Sequence, residues 1–443
     1  MNRRHFTRLS AGGLAAAALP GTSVWGDAWG SLGSQNLAVD VTRLELRMRR
    51  LARFGANAAG GIDRVAFSDA NIEALDWVAE QLSDADFSTG IDLAGNLIAT
   101  KPGTDAGLRP LMFGSHIDSV PGGGNYDGQV GSMGAVEVAA TLAQADHTTR
   151  HPLEVAIFSN EEGGKTGSRA LAGEVEDFEL GLETASGFTI REGLRRLGGD
   201  PDRLAEARRA QGSLTAFLEL HVEQGAVLDA DGIDIGVVEG IVGIKRWNVT
   251  VEGKTNHAGT TPMDRRSDAL VGAARFIDLV HRTARDMSGR QVATVGRLEV
   301  EPGAPNVIPG RVRLTLEVRD LSMEGIDRVY EAVVDGSAGV ANESGTTFAF
   351  ERFYTSRAAP TDGRLRDIVH RSAEVLGLSA QRMPSGAGHD AQSIALLGPV
   401  GMIFVPSVAG ISHAPEERTE ASDVANGANV LLRTLLALDE SGL

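Results

Sequence analysis

The chain has 443 residues, 42 Lys+Arg against 59 Asp+Glu, a formal net charge of −17 and no cysteine. Its length accommodates two domains with full cores, and its acidic surplus argues against nucleic acid, whose phosphates need concentrated Lys and Arg. Without cysteine there are no disulfides and no thiolate ligands, so His, Asp and Glu must hold any metal.

Residues 1–30 read as an export leader. Arg3 and Arg4 precede His5-Phe6, and the apolar run Leu9–Leu19 is too short to span a bilayer and stops at Pro20-Gly21. The twin arginine resembles a Tat signal, which implies a periplasmic protein with no membrane attachment once mature.

Helical spacing runs from Val41 to Phe54, and Ser68 reads as the N-cap of a second helix striped by Ile72, Leu75, Val78 and Leu82. Ile91–Thr100 reads as one strand. The stretch Phe113–Gly128, FGSHIDSVPGGGNYDG, organises the rest. His116 and Asp118 are two apart, so on an extended strand both face one way, a pairing suited to a metal-bound imidazole whose other nitrogen is held by a carboxylate. The glycines after Pro121 let the backbone turn sharply and return Asp127 to the same place. A small-residue helix, Gly131–Ala145, follows, then a buried-strand pattern, Leu153–Ser159, leading into Asn160-Glu161-Glu162-Gly163-Gly164. Strand, helix, strand in this order predicts a parallel α/β sheet, and such sheets bind ligands at the carboxyl ends of their strands.

Residues 174–210 read as a polar, mostly helical excursion. The strand Phe217–Val222 carries His221 and precedes Gln224. From about Lys245 the order strand, helix, strand, strand, helix, strand predicts a small inserted α+β unit at 245–356. The α/β pattern resumes at 357–443 with Gly388-His389-Asp390, a strand at Val400–Val405, His413 and a closing helix. The expected fold is thus α/β, with a catalytic domain at 40–244 and 357–443. Candidate ligands (His116, Asp127, the Glu161-Glu162 pair, His221 and His413) fall just past predicted strands, flanked by glycines. Such placement is hard to obtain from surface solvation alone.

GSHIDSVPGGGNYDG, SNEEGG, ELHVEQG, GKTNHAGTTPMDRRSDAL, PNVIPG with VRD after it, GAGHDA and GISHAPEE closely resemble the dinuclear-metal amidohydrolases of peptidase family M20. Within it they are similar to the N-carbamoyl-L-amino acid hydrolase and allantoate amidohydrolase branch. The resemblance implies a metallopeptidase-like catalytic domain with an inserted lid/dimerisation domain, and a homodimer. It implies two divalent ions per subunit, one on His116 and His221, the other on Glu162 and His413, with Asp127 bridging. Zn²⁺ suits these donors best, and Mn²⁺, Co²⁺ or Ni²⁺ also bind such sets. Glu161 matches the general base, and Asp118 would orient His116. On the lid, His257 matches the residue that supports the oxyanion across the dimer, and Asn306 with Arg319 the pair that binds the substrate carboxylate. Arg suits that task through its planar fork. Gln224 and His389 match pocket-lining positions. The implied reaction is hydrolysis of a linear C–N bond in a carbamoyl or ureido acid, with an acyl amide or dipeptide as the rival substrate. An exported binding protein would have no use for the base at Glu161. In this branch the loop before Gly167-Ser168-Arg169 is often longer and aromatic; here it is only Gly163-Gly164-Lys165-Thr166, a departure that bears on substrate identity.

Overall fold

The computed structural model describes residues 37–441; the expected export leader lies outside the described residues. The strands in chain order are β1 Ser88–Ile91, β2 Leu97–Lys101, β3 Leu111–His116, β4 Leu153–Phe158, β5 Ala216–Val222, β6 Ile235–Ile241, β7 Gly243–Glu252, β8 Asn256–His257, β9 Val292–Glu301, β10 Val307–Ile308, β11 Arg311–Asp320, β12 Thr347–Ser356, β13 Ala359–Pro360, β14 Ala380–Ser385 and β15 Val400–Val405.

The main sheet runs β1-β2-β4-β3-β5-β15-β6-β13, with β14 also paired to β6. Its centre, β4-β3-β5-β15, is parallel throughout, while β2 joins β4 and β6 joins β15 antiparallel. The sheet is therefore mixed, and its parallel part carries the candidate ligands. The strands β3, β5 and β15 are buried at every residue, as expected where helices cover both faces. The helix Gln129–Gln144 lies so close to β5 that a Cβ on Gly131 would fall 2.0 Å from Leu220 O. Small residues there are a packing requirement. The helix Val41–Leu51 is fastened to it electrostatically: Arg43 and Arg47 both pair with Glu137, whose side chain is fully buried.

Residues 243–356 form a second sheet, β12-β7-β11-β9, antiparallel throughout. Its strand β7 alternates buried and more exposed residues along its length, the pattern of a sheet covered on one face. The covering helices, Ala269–Asp286 and Met323–Ser344, close a separate core around Trp247, Phe276, Leu314 and Val329.

Three expectations are corrected. Residues 91–100 are not one strand but the hairpin β1–β2, because Asp92 Oδ1 accepts the Ala94 and Asn96 N–H groups at 2.8 and 2.9 Å and turns the chain. Within 174–210 the helical pieces are short: Asp177–Gly181, Ile190–Arg196 and Pro201–Ala207. Finally, β6 and β14 add strands where none was expected; β14 reads AQRMPS, whose Pro and polar residues disguise it.

Candidate functional site

The parallel centre of the sheet presents its carboxyl ends together. His116 is the last residue of β3 and His221 the next-to-last of β5, while Glu161-Glu162 and His413 follow β4 and β15. Asp127 enters from the glycine loop, and its carboxylate is the meeting point. Its Oδ1 lies 3.6 Å from His116 Nε2 and 3.1 Å from His221 Nε2, and its Oδ2 lies 3.0 Å from His413 Nε2. His413 Nε2 is in turn 3.6 Å from Glu162 Oε1. Among the described residues two groups of donors share Asp127, each with its ligand atoms within 4.8 Å of one another: His116, Asp127 and His221, and Asp127, Glu162 and His413. A third, Glu219, His221 and His389, shares His221 with the first.

These donors fit divalent cations. Each group joins imidazole to carboxylate, the chemistry borderline metals prefer. The imidazoles of β3 and β5 are already oriented. His116 Nδ1 lies 3.1 Å from the Asp118 carbonyl and His221 Nδ1 2.9 Å from the Val222 carbonyl, which turns both Nε2 atoms towards Asp127. The Asp118 carboxylate is farther, 3.5 Å from His116 Nδ1. The strand has ended at His116, so the same-face argument does not apply. That carboxylate instead accepts the backbone N–H groups of Glu161 and Glu162 at 3.3 and 3.1 Å. Asp118 thus fixes the turn from which the two glutamates diverge, Glu161 towards His116 (3.8 Å) and Glu162 towards His413.

Burial makes the cluster electrostatically uneasy on its own. It pushes the Glu162 carboxyl up to about 8, with the Asp127 carboxylate beside it adding to the rise. It raises Glu161 as well. For Asp127 the burial effect is outweighed by hydrogen bonds from His116, His221 and His413, which hold it well below the usual carboxylate range. The bond to Asp127 lifts His413 to about 9. Positive charge between these groups would relieve the crowding of carboxylates.

Several residues with no role assigned from sequence support this centre. Glu417 Oε1 accepts the Tyr126 and Asp127 N–H groups at 2.8 and 2.9 Å, and its Oε2 accepts the Ser412 hydroxyl and the His413 N–H at 2.9 and 3.1 Å. In sequence, Pro415-Glu416-Glu417 looks like surface charge, and nothing local marks it as buried. Glu219 is fully buried on β5 and accepts from Ser115 Oγ at 2.8 Å and Ala391 N at 2.9 Å. An acid inside an apolar strand is a signal in its own right. Asn160, Lys165, Gln224 and His413 all hold left-handed φ, between 52° and 60°, a strain that clusters at working sites.

Of the substrate-side candidates, Gln224 reaches the centre directly, donating its amide to Asp127 Oδ2. His389 is buried edge-on against His221, ring centroids 4.4 Å apart, and its Nε2 lies 2.7 Å from Ser385 Oγ. Burial pushes its pKa well below the usual value, so it is neutral. Arg319 lies on β11, donating to Gly386 O at 2.6 Å and to Glu317 at 2.7 Å. His257 and Asn306 sit together on the β8–β10 ribbon, where Ala258 N donates to Asn306 O at 3.0 Å, and both are exposed. The structure gives neither a contact with the metal-type ligands.

A family model described as peptidase family M20/M25/M40 matches residues 112–437. The chain belongs to peptidase family M20. It is 38% identical over 401 residues to an N-carbamoyl-L-amino acid amidohydrolase of Geobacillus stearothermophilus, covering 89% of this chain and 98% of that one. It is 32% identical over 394 residues to an allantoate amidohydrolase of Bacillus subtilis (strain 168), covering 88% and 95% respectively. Among solved structures, a Burkholderia multivorans amidase of the hydantoinase/carbamoylase family superposes with a TM-score of 0.84 at 36% identity, over 91% of this chain and 98% of that one. These M20 relatives extend over both sheets, so the likeness takes in the second unit as well as the first.

Proposed function

We propose that this M20 protein is a metal-dependent amidohydrolase of N-carbamoyl-L-amino acids or related ureido acids. Water cleaves the linear C–N bond, and the products are the amino acid, CO2 and ammonia. The observation that carries the reading is the Asp127 carboxylate shared between two donor groups, with Glu161 beside them. Two divalent ions, Zn²⁺ first with Mn²⁺, Co²⁺ or Ni²⁺ as alternatives, would supply a polarised carbonyl and a water of lowered pKa. The chain does the rest. Glu161, held by Asp118 at its backbone and raised by burial, takes the proton of the attacking water and delivers it to the leaving nitrogen. Arg319 and Asn306 bind the substrate carboxylate.

His257 supports the developing oxyanion from the second subunit of a homodimer; its exposure supports this role. In this reading residues 245–356 are the lid and dimerisation domain, and the protein is exported through the Tat route to the periplasm. The test is ammonia release by metal-loaded protein from N-carbamoyl-L-amino acids and allantoate, set against N-acetyl amino acids and dipeptides. Turnover of the acyl or peptide substrates alone would replace this reading with an aminoacylase or dipeptidase.

A further inference from the structure

The short turn after Glu161 opens onto a cavity of about 610 Å³, walled by Lys165, Arg169, Arg357, Gln392, Glu174 and Glu179, with exposed Glu176 and Phe178 at its rim. Gly164 N and Lys165 N both donate to Glu161 O, at 3.0 and 2.8 Å, so the turn is tight and the cavity wall begins three residues after Glu161. Two of its cations are already matched: Arg169 forms a two-pronged pair with Glu179, at 2.5 and 2.8 Å, and Arg357 pairs with Glu174 at 3.1 Å. Lys165 is different. Among the described residues its ammonium has no ion-pair partner and donates to the neutral Gln392 Oε1. That amide cannot turn away, because its Nε2 donates to Ser356 Oγ and Arg357 O. Gln392 therefore fixes a positive charge that has no ion pair and whose field reaches the Glu161 carboxyl, on a residue of left-handed φ, 60°.

Lys165 and Arg319 both reach the loop 386–388. Arg319 donates to Gly386 O, while a Cβ on Gly388 would lie 2.8 Å from Lys165 Nζ. Residues two apart lie at most about 7 Å from each other, so the two cations flank one short loop.

We infer that this cavity takes the substrate side chain and that Lys165 holds an acidic group on it, so the preferred substrates are ureido acids with a second carboxylate. The inference rests on the ureido-acid reading above and narrows it. The test compares kcat/KM for N-carbamoyl-L-aspartate and N-carbamoyl-L-glutamate with N-carbamoyl-L-leucine and N-carbamoyl-L-alanine, in the wild type, Lys165→Met and Lys165→Arg. The wild type should favour the acidic substrates. Lys165→Met should cut the ratio of acidic to neutral kcat/KM at least tenfold, mainly through KM, and Lys165→Arg should restore most of it. A wild type that favours neutral side chains, or a Met variant that slows both classes alike, overturns this inference and leaves ureido hydrolysis standing. A metal-loaded wild type that releases ammonia from no ureido acid overturns both.

Discussion

Glu417 is bonded to Asp127 across 290 positions of sequence, accepting its backbone N–H at 2.9 Å. The other carboxylate oxygen accepts the His413 N–H at 3.1 Å. One buried carboxylate thus sets the position of the shared ligand and of the exposed end of the second donor group. Glu417→Gln keeps the shape but turns an NH2 towards groups that are themselves donors. Leaving buried donors unmatched costs about 1–3 kcal/mol, so the melting temperature should fall. Metal content should drop below that of the wild type and kcat/KM by at least tenfold. Wild-type stoichiometry by elemental analysis, together with an unchanged melt, would show Glu417 to be dispensable.

The divergence of Glu161 and Glu162 from one turn predicts opposite phenotypes for two adjacent changes. On the proposed mechanism Glu161→Gln removes the base and leaves both donor groups intact, so turnover should fall by roughly 10²–10⁴-fold while metal is retained. Glu162→Gln removes a ligand, so its loss of activity should be accompanied by loss of metal. If the metal contents come out the other way round, the two glutamates have exchanged roles.

How much of this was legible in the sequence depends on range. His116, the Glu161-Glu162 pair, His221 and His413 could be picked out because each follows or ends an apolar strand run, where a parallel sheet gathers its chemistry, and Asp127 because a glycine loop returns it there. Only the family resemblance separated Glu162 from Glu161. The separate second sheet was visible because its strands alternate, whereas β3, β5 and β15 run apolar throughout. The partners of the ligands were not legible. Whether Asp118 meets His116 through its carboxylate or its carbonyl depends on where β3 ends. The burial of Glu417 depends on a loop closing from the far end of the chain. The β14 strand was hidden because its pairing with β6 overrides a polar, proline-containing composition.

Gly128 shows how closely the helix behind the site approaches a ligand. Its φ is +73°, and a Cβ there would fall 2.3 Å from His116 Nε2, the atom directed at Asp127. Gly128→Ala therefore combines backbone strain with a collision on the donor atom itself. We expect a folded protein with reduced metal content and kcat lowered at least a hundredfold. Circular dichroism and elemental analysis on one preparation check this. A variant with wild-type metal and activity would mean that His116 does not use that nitrogen.

Removing metal should reverse the protein's response to alkali. In the metal-free protein Glu162 is raised from its ordinary 4.5 to about 8 by burial and the neighbouring Asp127 carboxylate. His413 is raised from 6.5 to about 9, first by its bond to Asp127. Both groups hold protons more tightly folded than unfolded. The stability they contribute is complete below the unfolded values and is lost as pH climbs through about 8 and then about 9. Asp127 is shifted the other way, so its contribution is lost only in acid and leaves this window alone. Chelator-treated protein should therefore melt at progressively lower temperature between about pH 6 and about pH 9.5. A cation must displace the same protons, so its affinity should rise across that window and its binding should release protons. Melting curves with and without chelator, and metal titration in weak buffer, measure both effects. A chelated protein that gains stability towards alkaline pH would show that Glu162 and His413 do not carry protons at neutrality.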